Sequence, residues 1–291
     1  MIESIENNFL TVKIDTLGAE LISVKNKETG REYIWDKHSD AWNKSSPILF
    51  PNIGALKNGK FSYNGKEYTG EKHGFAKNKE FKVIKKTESE ISFNLTWNND
   101  TYVNYPFKFD LTLTYILNEN ELTMNYVIKN EDNKIIYFAL GAHPAFMGKK
   151  ESLTGEKMGF NAGSNLVLSD VNLETGCFKD SKTPIKCDKD GSVEIAYHTF
   201  DNDAYVFENN QVKSVTLYEE DKPFVNVSFD APIVGIWSPI GRDNPFVCIE
   251  PWYGIADKDS FNGEISERNE EQHLDIGEVF DESIKISFYM L

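Results

Sequence analysis

The sequence predicts an all-β protein, a large antiparallel β-sandwich forming a single domain over residues 1–291. Three observations carry this. Apolar residues recur at every second position over long stretches, the period of a strand with one buried face. Asn-Gly and Asp-Gly pairs punctuate those stretches. No apolar stripe of helical period is sustained, so helices are expected to be few and short.

The alternating runs follow one another along the chain. Ile91, Phe93, Leu95 and Trp97 alternate with mostly polar residues. Phe109, Leu111, Leu113, Tyr115 and Leu117 form a second run. After a turn at Asn118–Glu121 the pattern resumes with Leu122, Met124, Tyr126 and Ile128, which predicts an antiparallel hairpin. Val225, Val227 and Phe229 alternate too, and Ile284, Ile286 and Phe288 read as a closing strand. Asn58-Gly59, Asn64-Gly65, Asp190-Gly191 and Asn262-Gly263 suit tight hairpins, because both residue types tolerate positive φ. Residues 149–190 are the least patterned and read as loops crossing between sheets. So many antiparallel strands must bury one face against another sheet, which makes a sandwich the simplest architecture.

Composition narrows the function. With 40% hydrophobic and 13% aromatic residues, the chain can bury a sizeable core without a disulfide or metal staple. Its formal charge is −15, and its arginines are only Arg31, Arg242 and Arg268. A nucleic-acid binder needs clustered cations to replace phosphate counterions. This surface repels phosphate backbones and anionic membranes, so a neutral small ligand fits better. Cys177, Cys187 and Cys248 are odd in number and form no C-x-x-C pair, the usage of reduced thiols in a cytoplasmic protein. The opening MIESIENNFLTVKI lacks the apolar core of a signal peptide or a membrane span. Oligomeric state leaves no sequence signal; monomer and homodimer are both compatible.

Three polar residues sit where strands end and turns begin. His143 lies in GAHPAF, and Pro144 restricts its backbone. A strand-end histidine bonded to backbone is the plain alternative. His73 lies in KHGFAK, where Gly74 permits close backbone approach and Phe75 offers an apolar wall. The plain alternative is a turn histidine. Glu250 ends the apolar run PFVCI, where a carboxylate is costly unless paired or protonated. Burial would raise its pKa and make it a better base. The plain alternative is a solvated strand end. Trp252 adds a flat apolar face beside it. Asp203, in FDNDAYVF, reads equally as a turn residue. Two histidines and a carboxylate are a working set for proton transfer. No H-E-x-x-H, zinc-spaced Cys/His pair, G-x-S-x-G, P-loop or G-x-G-x-x-G is present, so no metal site is expected.

Taken in order, the segments FPNIGALKNGKFSYNGKEY, KHGFAK, GAHPAF, FDNDAYVF and CIEPWYGIAD, from Phe50 to Asp257, resemble the aldose 1-epimerase (galactose mutarotase) family. They are most similar to its small bacterial, LacX-like branch. The resemblance implies a β-supersandwich and cofactor-free interconversion of the α and β anomers of a free hexose such as galactose. It implies Glu250 as the catalytic base, His143 as the catalytic acid and His73 as a second active-site histidine that also holds substrate. Asp203 matches a sugar-binding aspartate, and Trp252 is placed to stack on the sugar. Two departures stand out: Ala55 and Lys77 occupy positions where relatives usually carry arginine, and lysine does not reproduce a bidentate fork. A hexose phosphate, a non-catalytic carbohydrate-binding role, or glycoside cleavage by Asp203 and Glu250 are the competing expectations.

Overall fold

A computed structural model describes residues 1–162 and 165–289. The larger sheet has nine strands in the order Ser192–Glu194, Lys157–Phe160, Ser214–Glu219, Lys222–Phe229, Val279–Phe288, Glu121–Asn130, Phe109–Asn118, Glu90–Thr96 and Lys82–Lys86. The second has six strands: Tyr205–Phe207, Ile233–Trp237, Phe246–Tyr253, Leu140–Ala142 and Ile48–Leu49, with Ala145–Met147 also pairing with Phe246–Tyr253. Every pairing in both sheets is antiparallel. Among the described residues one short α-helix forms, Asn99–Asn104, where Asn98 accepts from the Thr101 N–H at 3.0 Å. No helix among the described residues is long and apolar enough to cross a membrane.

The period-two runs are the inner face of the larger sheet. Phe93, Phe109, Leu111, Leu113, Tyr115, Leu122, Met124, Ile128, Val225, Val227, Ile284 and Ile286 are buried in one core cluster. Val234, Ile236, Val247 and Ile249 of the smaller sheet enter the same cluster, so the two sheets share a core. The predicted hairpin forms with Glu121 opposite Asn118. The closing strand does not end the sheet: it lies between Lys222–Phe229 and Glu121–Asn130. Pairing on both edges satisfies its backbone where an edge would leave it open.

Two expectations need correction. Residues 149–190 are not simply loops. Lys157–Phe160 joins the larger sheet, and Asn165–Val171 pairs with Phe178–Lys186 as a separate hairpin. Most of Phe178–Lys186 is exposed on both faces, so no apolar alternation marks it. Of the four turn pairs, only Asn64-Gly65 closes a two-residue hairpin, with φ of 51° and 71° between Tyr63 and Lys66. Asn58-Gly59 belongs to a 3-10 turn, and the others lie in longer loops.

The strand Phe246–Tyr253 positions the site. It is buried along its whole length. Val247, Ile249 and Tyr253 face the shared core. Phe246, Cys248, Glu250 and Trp252 take the opposite face, away from it.

Candidate active site

Strand register brings His143 and Glu250 together. Gly141 pairs with Trp252, and Ala145 pairs with Cys248. His143 therefore falls directly opposite Glu250, with both side chains on the outer face of the smaller sheet. Pro144 has no N–H to give the ladder, so pairing breaks there and resumes at Ala145. The Pro144 carbonyl still accepts from Ile249 at 3.1 Å. The result is a contact of 3.1 Å between His143 Nε2 and Glu250 Oε1.

Both groups are deeply buried, at 7% and 2% exposure. Burial pushes His143 down from the usual histidine range to about 3, and the positive charge of Lys72 pushes in the same direction. Burial pushes Glu250 well above the usual carboxylate range, and the charge of Asp203 adds to this. Lys72 and the Trp252 indole oppose the rise only in part. Burial disfavours both charged forms, so in the protein alone the contact is a neutral pair holding one proton, not an ion pair.

His73 approaches from a separate loop. Its ring meets the His143 ring edge-on, 5.6 Å between centroids. The Gly54 N–H donates to His73 Nδ1 at 3.1 Å, and the His73 N–H donates to the Gly54 carbonyl at 3.0 Å. Accepting at Nδ1 leaves the ring proton on Nε2, free to donate. Burial and the neighbouring His143, Lys72 and Lys77 hold His73 well below its usual range, so it is neutral. The loop is tight: His73 has φ of 63°, and a Cβ on Gly74 would meet the Phe50 carbonyl oxygen at 2.1 Å. Lys77 locks it from outside, donating to the carbonyls of Lys72 and Gly74.

Aromatic residues enclose His143. Trp42 stacks on it at 4.8 Å, and Trp237 meets it edge-on at 5.8 Å. Trp42 is fixed through its carbonyl, which accepts from Trp35 Nε1 at 2.9 Å. Trp252 lies across two glycines on neighbouring strands. A Cβ at Gly141 or Gly235 would approach its indole to 2.8 or 2.6 Å. Its Nε1 is buried and forms no hydrogen bond of good geometry, although it faces Glu250 closely enough to favour the carboxylate. Asp203 sits in the turn before Tyr205–Phe207, with φ of 71°, and accepts from the Ala204 N–H at 2.8 Å. It is thus both a turn residue and a charge felt by Glu250.

The five residues singled out from sequence thus come from four places: Glu250 and Trp252 from the Phe246–Tyr253 strand, His143 from a break between two strands paired to it, His73 from a loop and Asp203 from a turn. Trp42, Trp237, Lys72 and Cys248 were missed. Lys72 adjoins His73, and Cys248 lies in the run PFVCI, which reads as structural; Trp237 and Trp42 lie outside the runs read from sequence. None of the arginines serves the site. Arg31 pairs with Glu219 at 3.2 Å, Arg242 with Asp40 at 3.2 Å, and Arg268 with Asp257 and Glu271 at 2.7 Å each. Lys57 is turned to Phe261 and Asn262, at 2.8 Å from each acceptor, and so does not replace the arginine missing at Ala55. A separate cavity of about 370 Å³ beside Asp257 and Arg268 is lined by neither histidine nor Glu250.

Comparison with known proteins agrees with this fold. The sequence model of the family described as aldose 1-epimerase matches residues 1–286. Protein LacX, plasmid, of Lactococcus lactis subsp. lactis is 31% identical over 264 residues, 87% of each chain. A galactose mutarotase related enzyme from Lactobacillus acidophilus superposes with a TM-score of 0.93 at 32% identity, over 100% of this chain and 98% of its own. A galactose mutarotase-like protein from Lactobacillus casei ATCC 334 gives 0.93 at 26% identity, over 99% of this chain and 100% of its own. The chain belongs to the aldose 1-epimerase family, in the company of its small bacterial LacX-like members.

Proposed function

We propose that this protein is an isomerase that interconverts the α and β anomers of a free hexose. The observation that carries the proposal is the buried His143–Glu250 contact of 3.1 Å. Anomer exchange needs one proton removed from O1 and one delivered to O5, two oxygens bonded to the same carbon. An acid and a base in direct contact can serve both at once.

In the forward step Glu250 takes the O1 proton, the C1–O1 bond becomes a carbonyl, and the C1–O5 bond breaks. His143 gives its proton to O5. Rotation about C1–C2 presents the other aldehyde face, and the same groups run the step backwards. The reacting state has Glu250 ionised and His143 protonated, and the opened state has both neutral. The O1 hydroxyl stabilises the Glu250 charge by donating to it, and O5 stabilises the imidazolium by accepting from it. The opened state is the one burial favours, so the pair's environment eases ring opening. His73 donates from Nε2 to substrate and supports charge near O5. Asp203 accepts from sugar hydroxyls, and the Trp252 indole packs on the ring's apolar face. No cofactor is required.

A free sugar fits better than a phosphorylated one, because every arginine is bonded elsewhere and no bidentate phosphate clamp is formed. The free thiols Cys177, Cys187 and Cys248 suit a reducing, cytoplasmic setting. The test is polarimetry on freshly dissolved α-galactose and α-glucose. Faster relaxation, lost in both Glu250→Gln and His143→Asn, supports the reading. Folded protein that accelerates neither sugar, yet binds one, would favour a carbohydrate-binding role instead.

A further inference from the structure

The strand that carries Glu250 also places a thiol on the same face. Cys248 lies two residues before Glu250 and pairs with Ala145, two residues after His143. One ligand atom from each of His143, Cys248 and Glu250 lies within 4.8 Å of the others, and all three residues are buried. We propose that these three side chains form a binding site for a thiophilic divalent cation, Zn²⁺ above all, that occupies and blocks the acid–base pair.

The donor chemistry selects the ion. An imidazole nitrogen, a thiolate sulfur and a carboxylate oxygen suit zinc, whereas magnesium and calcium want oxygen alone. Tetrahedral bonds of about 2.0–2.3 Å put neighbouring donors roughly 3.3–3.7 Å apart. The His143–Glu250 edge, at 3.1 Å, is already close to that. Charge balance favours entry into a dry site. A dication with one thiolate, one carboxylate and a neutral imidazole sums to zero, so no net charge is buried. Binding expels the thiol proton of Cys248 and the proton shared by the pair, and a fourth position is left for water or a sugar oxygen.

The site is inhibitory rather than structural. A ligating histidine normally donates its second ring nitrogen to a carboxylate or carbonyl. His143 Nδ1 is buried with no such partner, and lacking that support costs about 10–100-fold in affinity. The spacing rules of sequence do not reveal this site, because His143 lies more than a hundred residues before Cys248 and Glu250.

The test is a Co²⁺ titration of the whole protein, read by the ultraviolet thiolate-to-cobalt charge-transfer band. One equivalent of band, bleached by Zn²⁺, is expected for wild type. Cys248→Ser should abolish the band. His143→Asn, which keeps the thiol, should weaken Co²⁺ binding at least tenfold, and it serves if the serine variant does not fold. The exposed His38–Asp36 and His198–Asp201 pairs contain no thiol and give no such band. No band in wild type, or a band that survives Cys248→Ser, overturns the proposal. The blocking effect rests on the anomer-exchange reading: Zn²⁺ should slow mutarotation and chelator should restore it. Binding and activity fail separately. A band without mutarotation keeps the metal site and removes the proposed reaction; mutarotation without a band does the reverse.

Discussion

His143, in the two-residue break between Leu140–Ala142 and Ala145–Met147, faces Glu250 in the register that sets Gly141 against Trp252 and Ala145 against Cys248 on the Phe246–Tyr253 strand. Their 3.1 Å contact is a product of that ladder and needs no loop to close over it. Paired strands on both sides of His143 pin it against the buried Phe246–Tyr253 strand, and so fixed a geometry suits proton transfer.

Removing either member should cost the reaction about 10²–10⁴-fold in kcat, the range of a positioned acid or base. Glu250→Gln should lose catalysis while its circular dichroism spectrum stays native, because the amide is isosteric. Polarimetry on the two variants checks this.

The same Glu250→Gln substitution should stabilise the fold at neutral pH. The folded pKa of Glu250 lies well above its unfolded value of about 4.3. Between those values the unfolded chain has released a proton that the folded chain still holds. Stability therefore falls as pH rises through that window, and glutamine removes the loss. Thermal melts at pH 7 should show a higher Tm for the variant, by about 2–4 °C per kcal/mol in a chain this large.

His143 gives the opposite slope. Its folded value of about 3 lies below the unfolded value of about 6.5. The stability it contributes is complete above pH 6.5 and is lost as pH falls towards 3. His143→Asn should flatten the acid side of the stability curve, measured by urea melts between pH 4 and pH 7. In kcat/KM, the acid limb should fall below the ordinary histidine range and the alkaline limb above the ordinary carboxylate range. Both limbs belong to the coupled pair and not to one residue.

Gly235→Ala should disturb the sugar platform, at a position that pairs directly with Glu250. The new methyl would press on Trp252 at 2.6 Å, and overpacking of this kind costs about 1–3 kcal/mol. The expected signature is a raised KM and a lowered Tm. An unchanged KM would show that Trp252 does not pack on the sugar.

Lys77→Met should loosen the His73 loop, because its Nζ secures the carbonyls of Lys72 and Gly74. Loss of those bonds costs about 1–3 kcal/mol locally. Hydrogen exchange should quicken at residues 72–77. Restoring arginine at 77 should recover protection only if its fork meets both carbonyls.

The sequence by itself determined the sheet architecture, because a period of two leaves each strand one apolar face to bury. It also singled out His73, His143, Asp203 and Glu250, which sit at breaks in that pattern and whose segments resemble one family in order. It did not show the hairpin of residues 165–186, whose outer strand is exposed and carries no alternation. Tertiary structure alone decided the rest. Register across the Phe246–Tyr253 strand chose which residue meets Glu250, and hydrogen bonding to Gly54 chose the tautomer of His73. Packing brought Trp42 and Trp237 onto His143 from distant segments. Burial then set the protonation of the pair. Each depends on contacts between residues far apart in the chain, which no local pattern of side chains encodes.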